Sequence, residues 1–209
     1  MKTTKEQNFE RELPAGYKEA MYINAKDAKF GIIFNAIALV VMVIVMAIAV
    51  LSLVCNDSIL WPPYYAEPID LMIACGVLLL VTLAYVILHE LVHGCAYKTL
   101  TGEKLTFGIS WSCAFCGVPN IFTYRRTMLI AVLAPFVLFT LIFIPLLIIL
   151  YTVSPIYYFV MAFVFGMHLG GCAGDLYVSY LLMTKFKDEK TLLRDTGPEQ
   201  FFYVPGEEE

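Results

Sequence analysis

The sequence predicts an all-α polytopic membrane protein: four transmembrane helices carrying a small β-hairpin on the cytoplasmic side. Three observations lead there. Hydrophobic residues make up 60% of the 209-residue chain and charged residues only 15%, far from the composition of a soluble domain. Four apolar stretches are each long enough to cross a bilayer, which takes about 20 helical residues. Every one of the 14 Lys and Arg residues falls outside those stretches, in alternate connections.

The first 29 residues are polar and charge-rich and predict a cytoplasmic segment rather than a cleavable signal peptide. The spans follow at Phe30–Val54, Leu71–Val92, Met128–Tyr151 and Ile156–Met183, the last longer than a crossing requires and so tilted or emergent at its end. Domain limits of 1–29, 30–183 and 184–209 result. "CNDSILWPPYYAEP" and "TVSP" supply turn residues between spans. These two loops carry no Lys or Arg, whereas the N-terminal segment, the 94–127 loop and the tail carry all of them. The positive-inside rule then puts both termini and the 94–127 loop in the cytoplasm, in a multi-pass protein of the cell membrane, taken as a bacterial plasma membrane.

Within that loop Leu105, Phe107, Ile109, Trp111, Cys113 and Phe115 alternate with small or polar residues. Period-2 alternation reads as a half-buried strand, with "CGVPN" as the turn and "IFTY" as the return: a hairpin over 104–125 at the membrane surface. A loop dipping into the interface is the competing reading.

The end of the second span reads "HELVHG". His89 and His93 stand four residues apart, so both project from one helix face and can share one zinc ion. Glu90 lies about 100° around the helix, placed to act as general base toward a water there. A catalytic zinc takes three protein ligands and keeps one position open. His89 lies 18 residues into the second span and Asp175 19 residues into the fourth, both counted from the outer side, so both reach one depth. An unpaired carboxylate at that depth would cost a few kcal/mol, which makes Asp175 the expected third ligand. His168, seven residues earlier, lies about 10 Å deeper. It serves either as a cavity-lining donor to a reacting carbonyl oxygen or as a histidine bonded between packed helices. Gly166, Gly170 and Gly174 form a small-residue stripe expected to bring the fourth span against the second.

Two other strings carry less. Cys113 and Cys116 are a single C-x-x-C pair without two further thiolates, among six cysteines in all. "DTG" at 195–197 reads as a turn in a polar tail without strands. No basic, aromatic-laced patch calls for nucleic acid.

With "HELVHG" ending one span, a cytoplasmic strand segment, "LAPF" opening the next and "GCAGDLY" in the last, residues 70–183 resemble the integral-membrane zincins related to site-2 proteases. The resemblance implies a zinc metallopeptidase with one Zn2+ per chain on His89, His93 and Asp175 and with Glu90 as base. It also implies an edge strand that pairs with an unwound substrate segment. Gly174 precedes Asp175, Leu176 follows it, and the last span has no Asn, so the implied place is a divergent branch. The expected activity is intramembrane endoproteolysis of membrane-protein or peptide substrates near the cytoplasmic face, with the lipid bilayer as the other partner. A non-catalytic zinc-binding regulator or scaffold is the alternative.

Overall fold

The computed structural model describes residues 8–56, 67–110 and 113–206. Four long apolar helical segments fall where the hydrophobic stretches predict them: α1 (Ala28–Val54), α2 (Pro68–Thr101), α3 (Arg125–Val153) and a fourth made of α4 (Pro155–Gly171) and α5 (Ala173–Thr184). By length and composition all four can cross a membrane. α2 outruns the apolar stretch, and its last turns pack Ala96 and Tyr97 into a buried cluster. It stops where Gly102 takes φ +72° and its N–H bonds the Lys98 carbonyl at 2.9 Å, the ending that glycine permits. α4 opens on Pro155 behind Ser154, whose hydroxyl accepts from the Tyr157 N–H. It closes at Cys172, and the helix restarts at Ala173. Asp175 therefore falls in the first turn of a new helix, where exposed N–H groups favour a carboxylate.

The chain packs as two units. One holds Ile33–Leu88 and Phe136–Ala173. In the other, the described residues lie within Met1–Ile32, His89–Pro135 and Gly174–Glu209.

In the all-helical unit, the glycine stripe meets a different neighbour from the expected one. A Cβ on Gly170 would stand 2.6 Å from the Cα of Ala38, and one on Gly166 3.1 Å from the Cα of Met42. The close approach is therefore to α1 rather than α2, and Gly174 takes no part, since a Cβ there meets nothing within 4 Å. Periodicity exposes a small face without saying which helix fills it. A second contact between α1 and α4 packs Ala49 and Leu53 on Tyr158 and Ala162, with Ser52 Oγ 3.0 Å from the Tyr158 hydroxyl.

The second unit contains a sheet the sequence does not predict. Five antiparallel strands run in the order β1-β5-β6-β7-β2, with β1 (Phe9–Glu10), β2 (Tyr17–Asn24), β5 (Phe122–Tyr124), β6 (Leu192–Asp195) and β7 (Glu199–Pro205). The stretches expected to be plain tails thus pair with each other: Tyr22 faces Phe201, and Leu193 faces both Thr123 and Phe202. Strands of two to eight residues, three of whose four pairings join distant parts of the chain, leave little local periodic signal. The sheet covers one end of the helices in this unit. Phe202, Leu193, Ile121 and Val118 are buried with Tyr97 of α2, Met128 and Ala131 of α3, and Val178 and Leu182 of α5.

The alternating segment does form a hairpin, but a tighter one than expected. β3 (Thr106–Ile109) pairs with β4 (Ala114–Gly117), Gly108 opposite Phe115. The reversal comes at Ser110–Cys113, where Ser110 N–H bonds the Cys113 carbonyl at 2.8 Å and the Ser110 hydroxyl accepts from the Cys113 N–H at 3.2 Å. A serine side chain closing its own turn overrides the alternation. Trp111 and Ser112 lie outside the described residues. The expected return strand "IFTY" instead supplies β5 of the larger sheet.

Candidate metal centre

His89 and His93 are one turn apart on α2, their rings 5.0 Å apart centre to centre and inclined at 75°. Both are buried, and both turn Nε2 to the same atom. Asp175 Oδ2 lies 3.4 Å from His89 Nε2 and 3.3 Å from His93 Nε2. The equal depth inferred from counting residues thus becomes a direct meeting of three donors. Glu90, half-buried next to His89 in the chain, is within electrostatic reach of all three.

Two features test whether this set fits zinc. A tetrahedral ion with ligands at about 2.0–2.1 Å holds neighbouring donors about 3.3–3.4 Å apart, which is the spacing found on both histidines. His93 Nδ1 lies 2.8 Å from the Ala131 carbonyl oxygen, so that nitrogen carries the proton and donates it. Nε2 is then left with its lone pair facing Asp175, the tautomer a metal ligand needs, fixed by a carbonyl partner on α3. The residues fit. The Ala131 carbonyl could not have been found from sequence, because a backbone acceptor carries no residue signature.

His168 belongs to the all-helical unit. Its Nδ1 lies 2.9 Å from the Tyr85 hydroxyl and its Nε2 3.0 Å from Thr140 Oγ1. The rings of Phe136, Phe139, Phe143 and Phe165 surround it, and it is fully buried. Both ring nitrogens thus have a hydroxyl partner, one on α2 and one on α3.

Cys113 and Cys116 lie at the turn and on the second strand of the hairpin, and among the described residues neither forms a disulfide. Burial, and next the charge of Asp195, push the Cys116 thiol up to about 12, so it stays protonated.

The "DTG" string does form a turn, but between β6 and β7 and with a buried acid at its head. Tyr97 donates its hydroxyl to Asp195 Oδ2 at 2.5 Å, and Gly197 N–H donates to Oδ1 at 2.8 Å. Burial lifts the Asp195 carboxyl to about 7, against the opposing pull of these two donors. Tyr97 stands four residues beyond His93 on the same helix. That spacing was the available signal for a link between the turn and the metal-bearing helix.

Two histidines at HExxH spacing on one helix, with an acidic donor from another, are the donor arrangement of a zincin. Residues 82–189 match the model of a family described as "Putative zincin peptidase", and the chain belongs to that family. No curated protein and no solved structure matches it.

Proposed function

We propose that the protein is a zinc-dependent intramembrane endopeptidase of the site-2-protease kind, acting on membrane-associated protein or peptide substrates near the cytoplasmic face. The observation that carries this reading is the convergence of His89, His93 and Asp175 at zinc-ligand spacing with Glu90 alongside. A bound zinc would polarise the scissile carbonyl and lower the pKa of a water. Asp175 and the two Nε2 atoms would hold it, and the Ala131 carbonyl keeps His93 in the required tautomer. Glu90 takes the proton from the attacking water and delivers it to the leaving amine.

A helical substrate has its backbone groups already bonded, so it must unwind, and in a dry site its freed groups need partners. β3 supports a role as that partner. Among the described residues only β4 pairs with it, which leaves its other edge available. Gly94, directly after His93, abuts the Phe107 and Leu105 side chains, so the strand runs beside the metal-bearing turn. Exposed Phe107 and Ile109 offer apolar contact to an extended segment.

Glu90→Gln separates an enzyme from a zinc-binding scaffold. Zinc content is expected to stay at one per chain while cleavage of a membrane-segment peptide drops by about 10²–10⁴-fold, the usual worth of a general base. Wild-type cleavage by Glu90→Gln would exclude Glu90 as the base, and a zinc-loaded wild type that cleaves no membrane-segment peptide would leave the scaffold.

A further inference from the structure

The geometry points to Asp195 as a positioning residue for substrate binding: with Tyr97 it forms a latch that holds the β3–β4 hairpin beside the metal-bearing turn of α2. This rests on the peptidase reading above and extends it to a residue remote from the metal donors.

A closed ring of contacts runs within one unit. Tyr97 stands one helical turn beyond His93, and its hydroxyl bonds Asp195 Oδ2 at 2.5 Å. The Asp195 carbonyl accepts the Val118 N–H at 2.8 Å, and Val118 directly follows β4. The other carboxylate oxygen accepts the Gly197 N–H, which fixes the turn after β6. That turn seats the hairpin. Gly117, the last residue of β4, packs so closely on Gly197 that a Cβ would strike its backbone, and the Phe115 ring occupies the space where Cβ atoms on Gly108 and Gly197 would lie. β4 carries β3 in register, and Phe107 of β3 lies against Gly94. The ring thus leaves α2 at Tyr97 and returns to it at Gly94, three residues apart on either side of one helical turn.

The chemistry of Asp195 fits a latch better than general packing. It is 3% exposed, and among the described residues no Lys or Arg forms an ion pair with it. A core position of that kind is ordinarily apolar, because a buried carboxyl needs specific donors to be tolerated. Here both oxygens are used, one toward the metal helix and one toward the turn, and the main chain of the same residue holds the hairpin. Losing the link should free the hairpin without moving the helix that bears His89 and His93. An edge that binds the substrate backbone equally in ground and transition states contributes to KM rather than kcat.

Tyr97→Phe and Asp195→Ala test this, with Asp195→Asn as the conservative variant, since an amide can accept from Gly197 N–H and donate to the Tyr97 oxygen. The probe is a quenched fluorescent peptide containing about 20 apolar residues, in detergent with the zinc-loaded full chain. Tyr97→Phe and Asp195→Ala are expected to raise KM about tenfold with kcat nearly unchanged, and Asp195→Asn to restore KM toward wild type. Zinc content should remain one per chain. Hydrogen exchange, which does not depend on activity, should show faster exchange at 106–109 and 114–117 in Tyr97→Phe and wild-type protection at 89–93. Wild-type exchange at the hairpin in that variant overturns the latch whatever the protein cleaves. A loosened hairpin with unchanged KM overturns its role in substrate positioning. A zinc-loaded wild type that cleaves nothing overturns the peptidase reading itself.

Discussion

Asp195→Asn should stabilise the protein at neutral and alkaline pH and leave it unchanged in acid. The carboxyl has an ordinary value of 3.8 and is lifted to about 7 in the fold, so the native state holds its proton more tightly than the unfolded chain does. Well below pH 4 both states are protonated, and the fold loses nothing. As pH rises from there through 7, the unfolded chain ionises freely while the buried group resists, and stability falls; above 7 the loss is complete and constant. The rise from 3.8 to about 7, at about 1.36 kcal/mol per tenfold change in proton affinity, sets a ceiling of about 4 kcal/mol. The realised loss is smaller wherever water or nearby dipoles relax around the ionised group. At about 2–4 °C per kcal/mol for a chain of this size, the ceiling corresponds to about 10 °C. The measurement is the apparent Tm of the Asp195→Asn variant minus that of wild type, in one detergent from pH 4 to 9, with zinc content held equal. Groups that titrate alike in both proteins cancel. The difference should grow from a small value at pH 4 to a plateau above 7; a flat difference, or one that grows toward acid, refutes the reasoning.

Asp175→Ala removes one of three donors, so zinc affinity should fall by more than the 10–100-fold typical of losing an outer-shell partner, read by metal analysis after dialysis against a weak chelator. Wild-type zinc retention would exclude Asp175 as a ligand. Gly170→Val forces a side chain onto the Ala38 backbone and should cost about 1–3 kcal/mol, seen as a lower Tm, whereas Gly171→Ala, with open space around it, should be tolerated. An impermeant thiol reagent added outside intact cells should label a cysteine placed at Asp57, which lies outside the described residues, and spare one at Lys104; labelling at Lys104 would reverse the orientation.

The sequence announces what repeats or what is expensive. Uninterrupted hydrophobicity delimits the four long helices to within a few residues at most ends, and HExxH spacing places two donors on one turn. Asp175 is legible because a carboxylate deep in an apolar stretch demands a partner, and counting residues supplies one. Less visible are features made by distant or backbone groups. β2 and β7 find each other across most of the chain, and the Ala131 carbonyl that sets the His93 tautomer has no side-chain signature. The Tyr85 and Thr140 hydroxyls that meet the two ring nitrogens of His168 are also invisible to spacing, because they come from two other helices. Likewise, Ser110 could reverse a strand because one hydroxyl can close a turn within an alternating pattern.

The pairing of β2 with β7 also orders events during synthesis. Tyr22 bonds Glu199 across a separation of 177 residues, so β2 leaves the ribosome well before its partner exists. At about 5–20 residues per second that interval is about 10–40 s. All four apolar helices are made within it. Through that time Tyr97 has no Asp195 to bond, Val118 has no carbonyl to receive its N–H, and the β2 edge stands open to chaperones or to other nascent chains. The sheet closes only when the last strand emerges, so a chain broken off before β7 would carry His89, His93 and Asp175 and still lack the scaffold built around their helices.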